Sequence, residues 1–278
     1  MGRDTVGSTD FAVAPPPDRR PHRVRAAVRV FGEVLITLGL VLLLFVFYEV
    51  YVTDWFTARK QDDASRRLDQ QWRAPGPPPP APGEGDAFAR LHIPAFGPDY
   101  RFTVLEGTDP ATLAAGPGHY SATARPGEQG NFAVAGHRIG KGAPFNDLDR
   151  LHSCDALVVE TATEWYIYRV LPLAEEAPSW DSRAAYPKCR GVAPIGVPYD
   201  QAVGRRIVGP EQGEVIHPVP GRPRDTLPKD QQTRLITLTT CHPEFSAAQR
   251  LIVHGVLVKR YPKDPADTGL RPPELEER

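Results

Sequence analysis

The longest apolar run in the chain is VLITLGLVLLLFVFY, from Val34 to Tyr48. As a helix, this run rises about 22 Å, which is short of the roughly 30 Å hydrocarbon core of a bilayer. Apolar residues continue on both sides as far as Trp55, and aromatic residues are typical of the membrane–water interface. The pattern predicts a transmembrane anchor over residues 31–55.

A buried core helix and a cleaved signal peptide are the alternatives to an anchor. No small-x-small cleavage motif follows the run, and the residues after it are bulky and acidic, which disfavours a signal peptide. Arginines are concentrated just before the run, whereas the charges after it are mixed. The positive-inside rule therefore predicts a cytoplasmic N-terminus and an extracytoplasmic remainder.

Composition divides the rest of the chain into four parts. Residues 1–30 are polar and predict a disordered cytoplasmic tail. Residues 56–85 form a polar stalk that ends in the proline-rich linker PGPPPPAPGEG, a composition typical of a semi-rigid spacer. Residues 262–278 are again proline-rich and charged, which predicts a disordered tail. The folded domain is therefore expected over residues 86–261.

Short apolar segments bounded by turn residues dominate this domain, and several of them alternate or are rich in β-branched residues. One helix start is clear, with Asp109 as N-cap and Pro110 in the first turn. The domain is therefore predicted to be all-β, a mostly antiparallel barrel or sandwich with few short helices. The predicted strands are Ala87–Ile93, Asn131–Gly136, Ala156–Glu160, Glu164–Val170, Arg234–Thr240 and Arg250–Lys259.

Charge and cysteine content narrow the function classes. With 33 basic and 34 acidic residues the net charge is −1, so there is no basic footprint for nucleic acid. The three cysteines form no CxxC pair or Cys/His cluster, so no metal site is expected. An odd number of cysteines outside the cytoplasm leaves one thiol that needs an explanation.

Cys241 is the first candidate for chemistry. It ends the apolar run LITLTT and is followed at once by His242 and Pro243, so its thiol is expected at the rim of a sheet. Free cysteine is among the most buried residue types, and a core role is the alternative. An unpaired extracytoplasmic cysteine usually has a partner or a function, which favours a nucleophile.

His137 and Arg250 are the candidate partners of this thiol. His137 follows the apolar strand FAVAG, and an imidazole is the usual activator of a catalytic thiol. His242 is a poorer partner, because adjacent residues on an extended chain point to opposite faces. Arg250 begins the next strand, at the same rim if the two strands are antiparallel neighbours, where a guanidinium could stabilise an oxyanion. An ordinary surface histidine and surface arginine are the alternatives.

These segments together resemble the sortase family, most closely its class E branch of actinobacterial housekeeping-type sortases. The family signature stands here as TLTTC ending at Cys241, GHR around His137, and Arg250 at the start of the following strand. The motifs GPGHY, APFNDLDRL, VETATEWYIYRV and PVPGRP also look like that branch. The resemblance covers most of residues 86–261 and implies an eight-stranded sortase-type β-barrel.

The resemblance also implies a reaction. Cys241 would attack the Thr–Gly bond of a C-terminal LAxTG- or LPxTG-like sorting signal, His137 would protonate the leaving amine, and Arg250 would hold the oxyanion. A cell-wall amine from peptidoglycan or its precursor would then resolve the thioacyl enzyme. One amide replaces another of similar energy, so no cofactor is expected. By the same resemblance, Tyr120 and Thr240 are candidate substrate-binding residues.

Two features depart from the family pattern. About 35 additional residues, Leu171 to Arg205, precede the family-like stretch before the TLTTC strand, and Cys154 stands where a small turn residue is expected. We hypothesise that Cys154 and Cys189 form a disulfide that pins this insertion and leaves Cys241 free.

Two other functions use the same residues differently. A cysteine peptidase would resolve the thioacyl intermediate with water instead of an amine. A non-catalytic, membrane-tethered domain that binds wall components would keep Cys241 as a core residue.

Overall fold

The computed structural model describes residues 20–48, 53–74, 81–140, 142–263 and 271–277, and the chain divides into two units with the boundary after Tyr48. Helix α1, Arg20–Phe47, belongs to the first unit. Its part Arg23–Phe47 is the one helix among the described residues that is long and apolar enough to cross a membrane, and an 18-residue window within it has a mean hydropathy of 2.6. Its side chains are exposed all round, as in a helix surrounded by lipid.

The start of α1 differs from the prediction of an unfolded tail over residues 1–30. The helix already begins at Arg20, because Pro21 suits a first helical turn and the following arginines and alanines are good helix formers. Residues 1–19 lie outside the described part of the chain. So do residues 49–52, within the predicted anchor 31–55.

The second unit contains a closed barrel of eight strands, which confirms the predicted fold class. The strands follow the order β6-β5-β1-β2-β3-β4-β8-β9 around the barrel, and β9 pairs with β6 to close it. A ninth strand, β7, pairs with β9 beside β6. The strands are β1 Ala87–His92, β2 Arg101–Glu106, β3 Gly118–His119, β4 Gly130–Ala135, β5 Ala156–Glu160, β6 Glu164–Val170, β7 Arg205–Val208, β8 Arg234–His242 and β9 Gln249–Pro262.

All six predicted strands are present, with small shifts at their ends. The prediction missed β2, β3 and β7, because β3 has two residues and the other two carry charged residues at their ends. Helix α3, Pro110–Leu113, is capped as predicted: the Asp109 carboxylate accepts from the amides of Ala111 and Thr112.

Alternating side chains of the strands fill the barrel interior. Phe132 and Val134 of β4 pack there with Ile236 and Leu238 of β8, and all four are at most 1% exposed. The remaining members of this core include Leu91, Val104, Phe145, Leu157, Tyr168, Leu251 and Val253. The alternate residues of β4 and β8 consequently face outward.

Helix α2, Thr53–Arg73, packs against the barrel, which corrects the prediction that residues 56–73 form a stalk separate from the domain. Gln61 makes two hydrogen bonds with the backbone of Thr103 on β2, at 2.9 and 3.2 Å. Leu68 is fully buried, and Asp69 forms an ion pair with Arg90 on β1 at 2.6 Å. The prediction failed because the sparse apolar residues of α2 acquire partners only in the folded barrel. The linker residues 75–80 lie outside the described residues.

The C-terminal segment also differs from the prediction of a disordered tail over residues 262–278. Residues 271–277 are described, and Pro273–Glu276 form a 3₁₀ turn. Leu275 is 5% exposed in an apolar cluster with Val158 and Trp165, and Glu277 pairs with Arg169 on β6. One buried leucine and one ion pair therefore hold a segment whose composition is that of a tail. Residues 264–270 are not described.

A buried ionic cluster joins β1, β5 and the end of β9. The Glu160 carboxylate lies 3.2 Å from Nε2 of His92 and 3.6 Å from Nη1 of Arg90, and it accepts from Lys263. Burial alone would raise the pKa of Glu160, but the hydrogen bonds from His92 and Lys263 outweigh it and lower this pKa to about 2.

Glu160→Gln tests the contribution of this cluster to stability. Because the folded-state pKa lies below that of the unfolded chain, the stabilisation is complete above pH 4.5 and is lost as the pH falls towards 2. We expect the variant to lose on the order of 3 kcal/mol at pH 7 and to lack this part of the acid dependence. Urea unfolding at pH 7, 4.5 and 3 measures both effects. The exposed Glu211→Gln is the control, and an equal response of both variants would contradict the assignment.

Candidate active site

Three neighbouring strands of the barrel carry the candidate catalytic residues. Strand β8 is parallel to β4 and antiparallel to β9. Cys241, near the end of β8, is directly paired with Arg250, near the start of β9. Their side chains therefore leave the same face of the sheet at adjacent positions.

His137 follows the end of β4, the strand that pairs with β8. Ala135, the last residue of β4, is paired with Thr239, and the amide of Gly136 donates to the Thr239 carbonyl at 3.1 Å. Residues two apart on a strand share a face, so Cys241 lies on the face of Thr239. The structure thus pairs Cys241 with Arg250 and places His137 two residues beyond the last paired residue of β4.

This placement bears on the alternative of a core cysteine. Cys241 is a free, partly exposed thiol, whereas the inward-facing positions of β8 belong to Ile236 and Leu238. His242 follows Cys241 and points to the opposite face, where its Nδ1 lies 2.8 Å from Nη1 of Arg138. Cys241 is therefore a partly exposed thiol on the outward face and not a member of the apolar core.

The turn after β4 fixes the backbone around His137. A Cβ atom on Gly136 would lie 2.5 Å from the ring of Phe145, so only glycine allows this close approach. The amide of Phe145 donates to the His137 carbonyl at 3.0 Å, which closes the loop on itself. Glycine before His137 thus has a packing reason as well as a place in the motif.

The guanidinium of Arg250 is held by the loop between β8 and β9. Its Nη1 donates to the carbonyls of Ala247 at 2.8 Å and Gln249 at 2.9 Å. These two bonds fix the orientation of the planar guanidinium. Among the described residues, no three His, Cys, Asp or Glu side chains form a group that could hold a metal ion.

Tyr120 and Thr240, the two predicted substrate-binding residues, lie in different surroundings. The Tyr120 hydroxyl is 3.0 Å from Oγ1 of Thr239, which shares the face of Cys241. Thr240 is 3% exposed, and its hydroxyl donates to the Gly136 carbonyl at 2.7 Å. Tyr120 therefore borders the candidate site, whereas Thr240 braces β8 against β4 from the interior.

A chain of buried polar groups lies behind Cys241 on the outward face. The hydroxyl of Thr237 donates to Oδ1 of Asn131 at 2.7 Å, and Nδ1 of His254 lies 2.8 Å from the same hydroxyl oxygen. Burial, with a smaller effect of the Arg206 charge, lowers the pKa of His254 to about 3, so the ring is neutral at pH 7. With the hydroxyl proton directed to Asn131, His254 donates from Nδ1.

The same chain holds the connection between β7 and β8. Nδ2 of Asn131 donates to the carbonyl of His217 at 3.1 Å. Beside it, Val215 packs with Val208 of β7 and Ile252 of β9 in a buried apolar cluster. This connection therefore covers the outward face next to Arg250.

The insertion of about residues 171–205 fills the connection between β6 and β7. It contains helix α4, Trp180–Ala184, and a disulfide joins Cys189 to Cys154 with Cα atoms 4.9 Å apart. Cys154 has φ +72°, a conformation that favours glycine, in agreement with the small turn residue expected there. Trp180 packs against this disulfide and donates to the Val192 carbonyl at 3.1 Å.

The end of the insertion contacts the connection that precedes β8. The Tyr199 hydroxyl accepts from the Thr233 amide at 2.8 Å, and Asp200 forms an ion pair with Arg222 at 2.8 Å. The insertion therefore supports the β7–β8 connection from behind and is itself tied to the barrel by the disulfide.

Sequence reasoning missed Thr239, Asn131 and His254 at this site. Thr239 lies within the recognised TLTTC motif, and alternation from Cys241 could have identified it. Asn131 and His254 lie in apolar strand segments, and a polar residue within such a segment is the signal that was overlooked.

A closed β-barrel with a free thiol paired with an arginine, and a histidine just after the neighbouring strand, is typical of a cysteine-dependent acyl-transfer enzyme. A family model described as the sortase domain matches residues 91–258. The chain therefore belongs to the sortase family of cysteine transpeptidases.

Known relatives agree with this membership. Sortase SrtE1 of Streptomyces coelicolor is 32% identical over 256 residues, which cover 88% of this chain but only 61% of the relative's length. Sortase SrtE2 of the same organism is 30% identical over 254 residues, or 87% of this chain and 86% of that protein. The SrtF sortase structure from Corynebacterium diphtheriae matches with a TM-score of 0.64 and 43% identity, over 74% of this chain and 98% of that one.

Removal of the disulfide tests how the insertion is held. The bridge closes a loop of 35 residues, so Cys154→Ser combined with Cys189→Ser is expected to cost about 3–4 kcal/mol of unfolding free energy. Urea unfolding measures this loss. Alkylation of the denatured, unreduced wild type followed by mass spectrometry should modify Cys241 and leave the other two thiols protected. Modification of all three would contradict the bridge.

Proposed function

We propose that this chain is a membrane-anchored sortase that cleaves a C-terminal LAxTG- or LPxTG-like sorting signal between Thr and Gly and joins the Thr carboxyl to a cell-wall amine. The pairing of Cys241 with Arg250, with His137 two residues beyond the end of the neighbouring strand β4, is the observation that supports the proposal. In the proposed complex, the nucleophile, the proton carrier and the oxyanion partner flank a single scissile bond.

Acylation begins when the Cys241 thiolate attacks the carbonyl carbon of the signal's Thr–Gly bond. The negative charge that develops on the carbonyl oxygen is stabilised by N–H donors of the Arg250 guanidinium, which the Ala247 and Gln249 carbonyls orient. As the C–N bond breaks, the His137 imidazolium gives its proton to the leaving glycine amine. A thioester between Cys241 and the Thr carboxyl remains.

Transfer completes the reaction without a change in oxidation state. An amine of the wall peptide or its precursor attacks the thioester and passes a proton to His137, and the Cys241 thiolate leaves. The bond formed is an amide like the bond broken, so no nucleotide has to supply free energy. The reaction therefore needs no cofactor.

Tyr120 is the proposed contact to the signal. Its hydroxyl is paired with Thr239 on the face of Cys241, so the ring has a fixed direction at the edge of the site. Thr240, with its hydroxyl used inside the barrel, is proposed to act through the backbone of Gly136, next to His137.

Anchoring is proposed through α1, with the N-terminus in the cytoplasm and the barrel outside. The apolar surface of Arg23–Phe47 supports a membrane-spanning helix, and the arginines before it support this orientation. The partners are then secreted proteins with C-terminal sorting signals and a wall amine at the outer face.

A transfer assay with full-length protein in detergent tests this function. An LAxTG peptide and a diaminopimelate- or glycine-type amine should yield the amide product by mass spectrometry. We expect Cys241→Ala to abolish the product, and His137→Ala and Arg250→Ala to lower kcat/KM by about 10²- to 10³-fold. The charge-matched control Arg183→Ala, in the insertion, should retain activity.

Two outcomes would favour the other functions. Hydrolysed peptide as the sole product, at saturating amine, would identify a peptidase. Absence of cleavage, together with a native Cys241 that resists a thiol probe, would support a wall-binding domain.

Tyr120→Phe tests recognition of the signal. Loss of one hydrogen bond to Thr239 is expected to change kcat/KM by about 2- to 10-fold and to alter the ratio between LAxTG and LPxTG peptides. Thr239→Val should produce the same change, and the double variant should add little to it. Tyr186→Phe, at an exposed position of the insertion, is the control. An unchanged ratio between the two peptides in Tyr120→Phe would remove this residue from recognition.

A further inference from the structure

Arg138 is a buried arginine that the proposed chemistry does not use. It is 4% exposed, and a buried guanidinium is stable only when acceptors surround it. Its Nη2 donates to Asp149 at 2.8 Å, and its Nη1 lies 2.8 Å from Nδ1 of His242. Glu244 contributes a third, weaker contact at 3.7 Å.

Arg138 and its acceptor His242 belong to the two segments that carry the catalytic candidates. Arg138 follows His137 directly, and His242 follows Cys241 directly. The paired residues of β4 and β8 end with Ala135 and Thr239, and the Gly136 amide donates to the Thr239 carbonyl just beyond them. The Arg138–His242 bond lies further along and adds a side-chain rung between the two segments, on the face opposite to the thiol.

The bond also fixes the direction of the second imidazole ring next to the nucleophile. A guanidinium can only donate, so Nδ1 of His242 accepts this hydrogen bond from Arg138. The two arginines near the site differ in their hydrogen-bond partners. The Arg138 guanidinium donates to the side chains of Asp149 and His242, whereas the bonds described above for Arg250 go to backbone carbonyls.

We propose that Arg138 is a positioning residue, which holds the segment after Cys241 against the segment after His137 through its bonds to His242 and Asp149. The proposal rests on the proposed function for its effect on transfer, but its effect on the thiol does not depend on any substrate. Displacement of the thiol from the imidazole by as little as about 1 Å is expected to cost on the order of 10²-fold in rate.

Arg138→Met removes the rung while keeping a long side chain at a buried position. In full-length protein in detergent, we expect the rate of Cys241 alkylation by iodoacetamide at pH 7 to fall about tenfold, and its pH profile to move to higher pH. In the transfer assay, kcat should fall by about 10- to 100-fold with little change in KM. Arg138→Lys should recover only part of both losses, because an ammonium cannot span two acceptors in the same way.

Arg169→Met is the matched control. Arg169 is also buried, at 6% exposure, and is paired with Glu277, but it lies on β6, between β5 and β9 in the barrel. Its replacement should lower the thermal unfolding temperature and leave the alkylation profile and kcat within about twofold of wild type. Equal losses of reactivity in both variants would mean that Arg138 acts through stability alone, and would overturn the proposal.

Variants of His242 keep the test decisive if Arg138→Met does not fold. His242→Gln retains an acceptor and should keep the wild-type alkylation profile, whereas His242→Leu should reproduce the loss. Wild-type reactivity in His242→Leu would overturn the proposal. Failure of the proposed function has a different signature: the wild type would not form the transfer product, while alkylation of Cys241 would still depend on Arg138.

Discussion

The parallel pairing of β4 with β8 is the constraint on which the site depends. Parallel neighbours end at the same edge of a sheet, so the segment just after β4 and the end of β8 lie at one edge although more than a hundred positions separate them in sequence. The antiparallel return of β9 adds Arg250 across from Cys241. A register slip of one residue would turn Cys241 into the barrel and Leu238 out of it. The apolar pattern of β8 therefore also determines which face carries the thiol.

Polar groups buried outside the apolar core secure the parts of the chain that regular pairing does not hold. Asn131, Thr237 and His254 connect three strands to the β7–β8 connection, and each hydroxyl or amide in that chain has a defined direction. Such groups are costly to bury without partners, so they resist rearrangement once they are satisfied. These hydrogen bonds thereby join β4, β8 and β9 to the loop between β7 and β8 around the strand that carries the thiol.

The sequence predicted what is encoded locally and missed what depends on register. Alternating segments gave six strands, and the motifs around His137 and Cys241 gave the family. Strand β3 is too short to have a pattern, and the burial of Leu68 and Leu275 is decided by surfaces that exist only after the barrel forms. The family resemblance made Thr240 a candidate substrate-binding residue. The direction of its hydroxyl, inward to the Gly136 carbonyl, depends on the register of β8 and could not be predicted.

The disulfide of the insertion has a chemical consequence for the nucleophile. All three cysteines of the chain are accounted for, and the two that are bonded to each other leave Cys241 as the lone reduced sulfur. If an oxidant converts Cys241 to a sulfenic acid, the chain contains no resolving thiol that could condense with it. Recovery from such oxidation must therefore come from a small-molecule or protein thiol supplied by the surroundings.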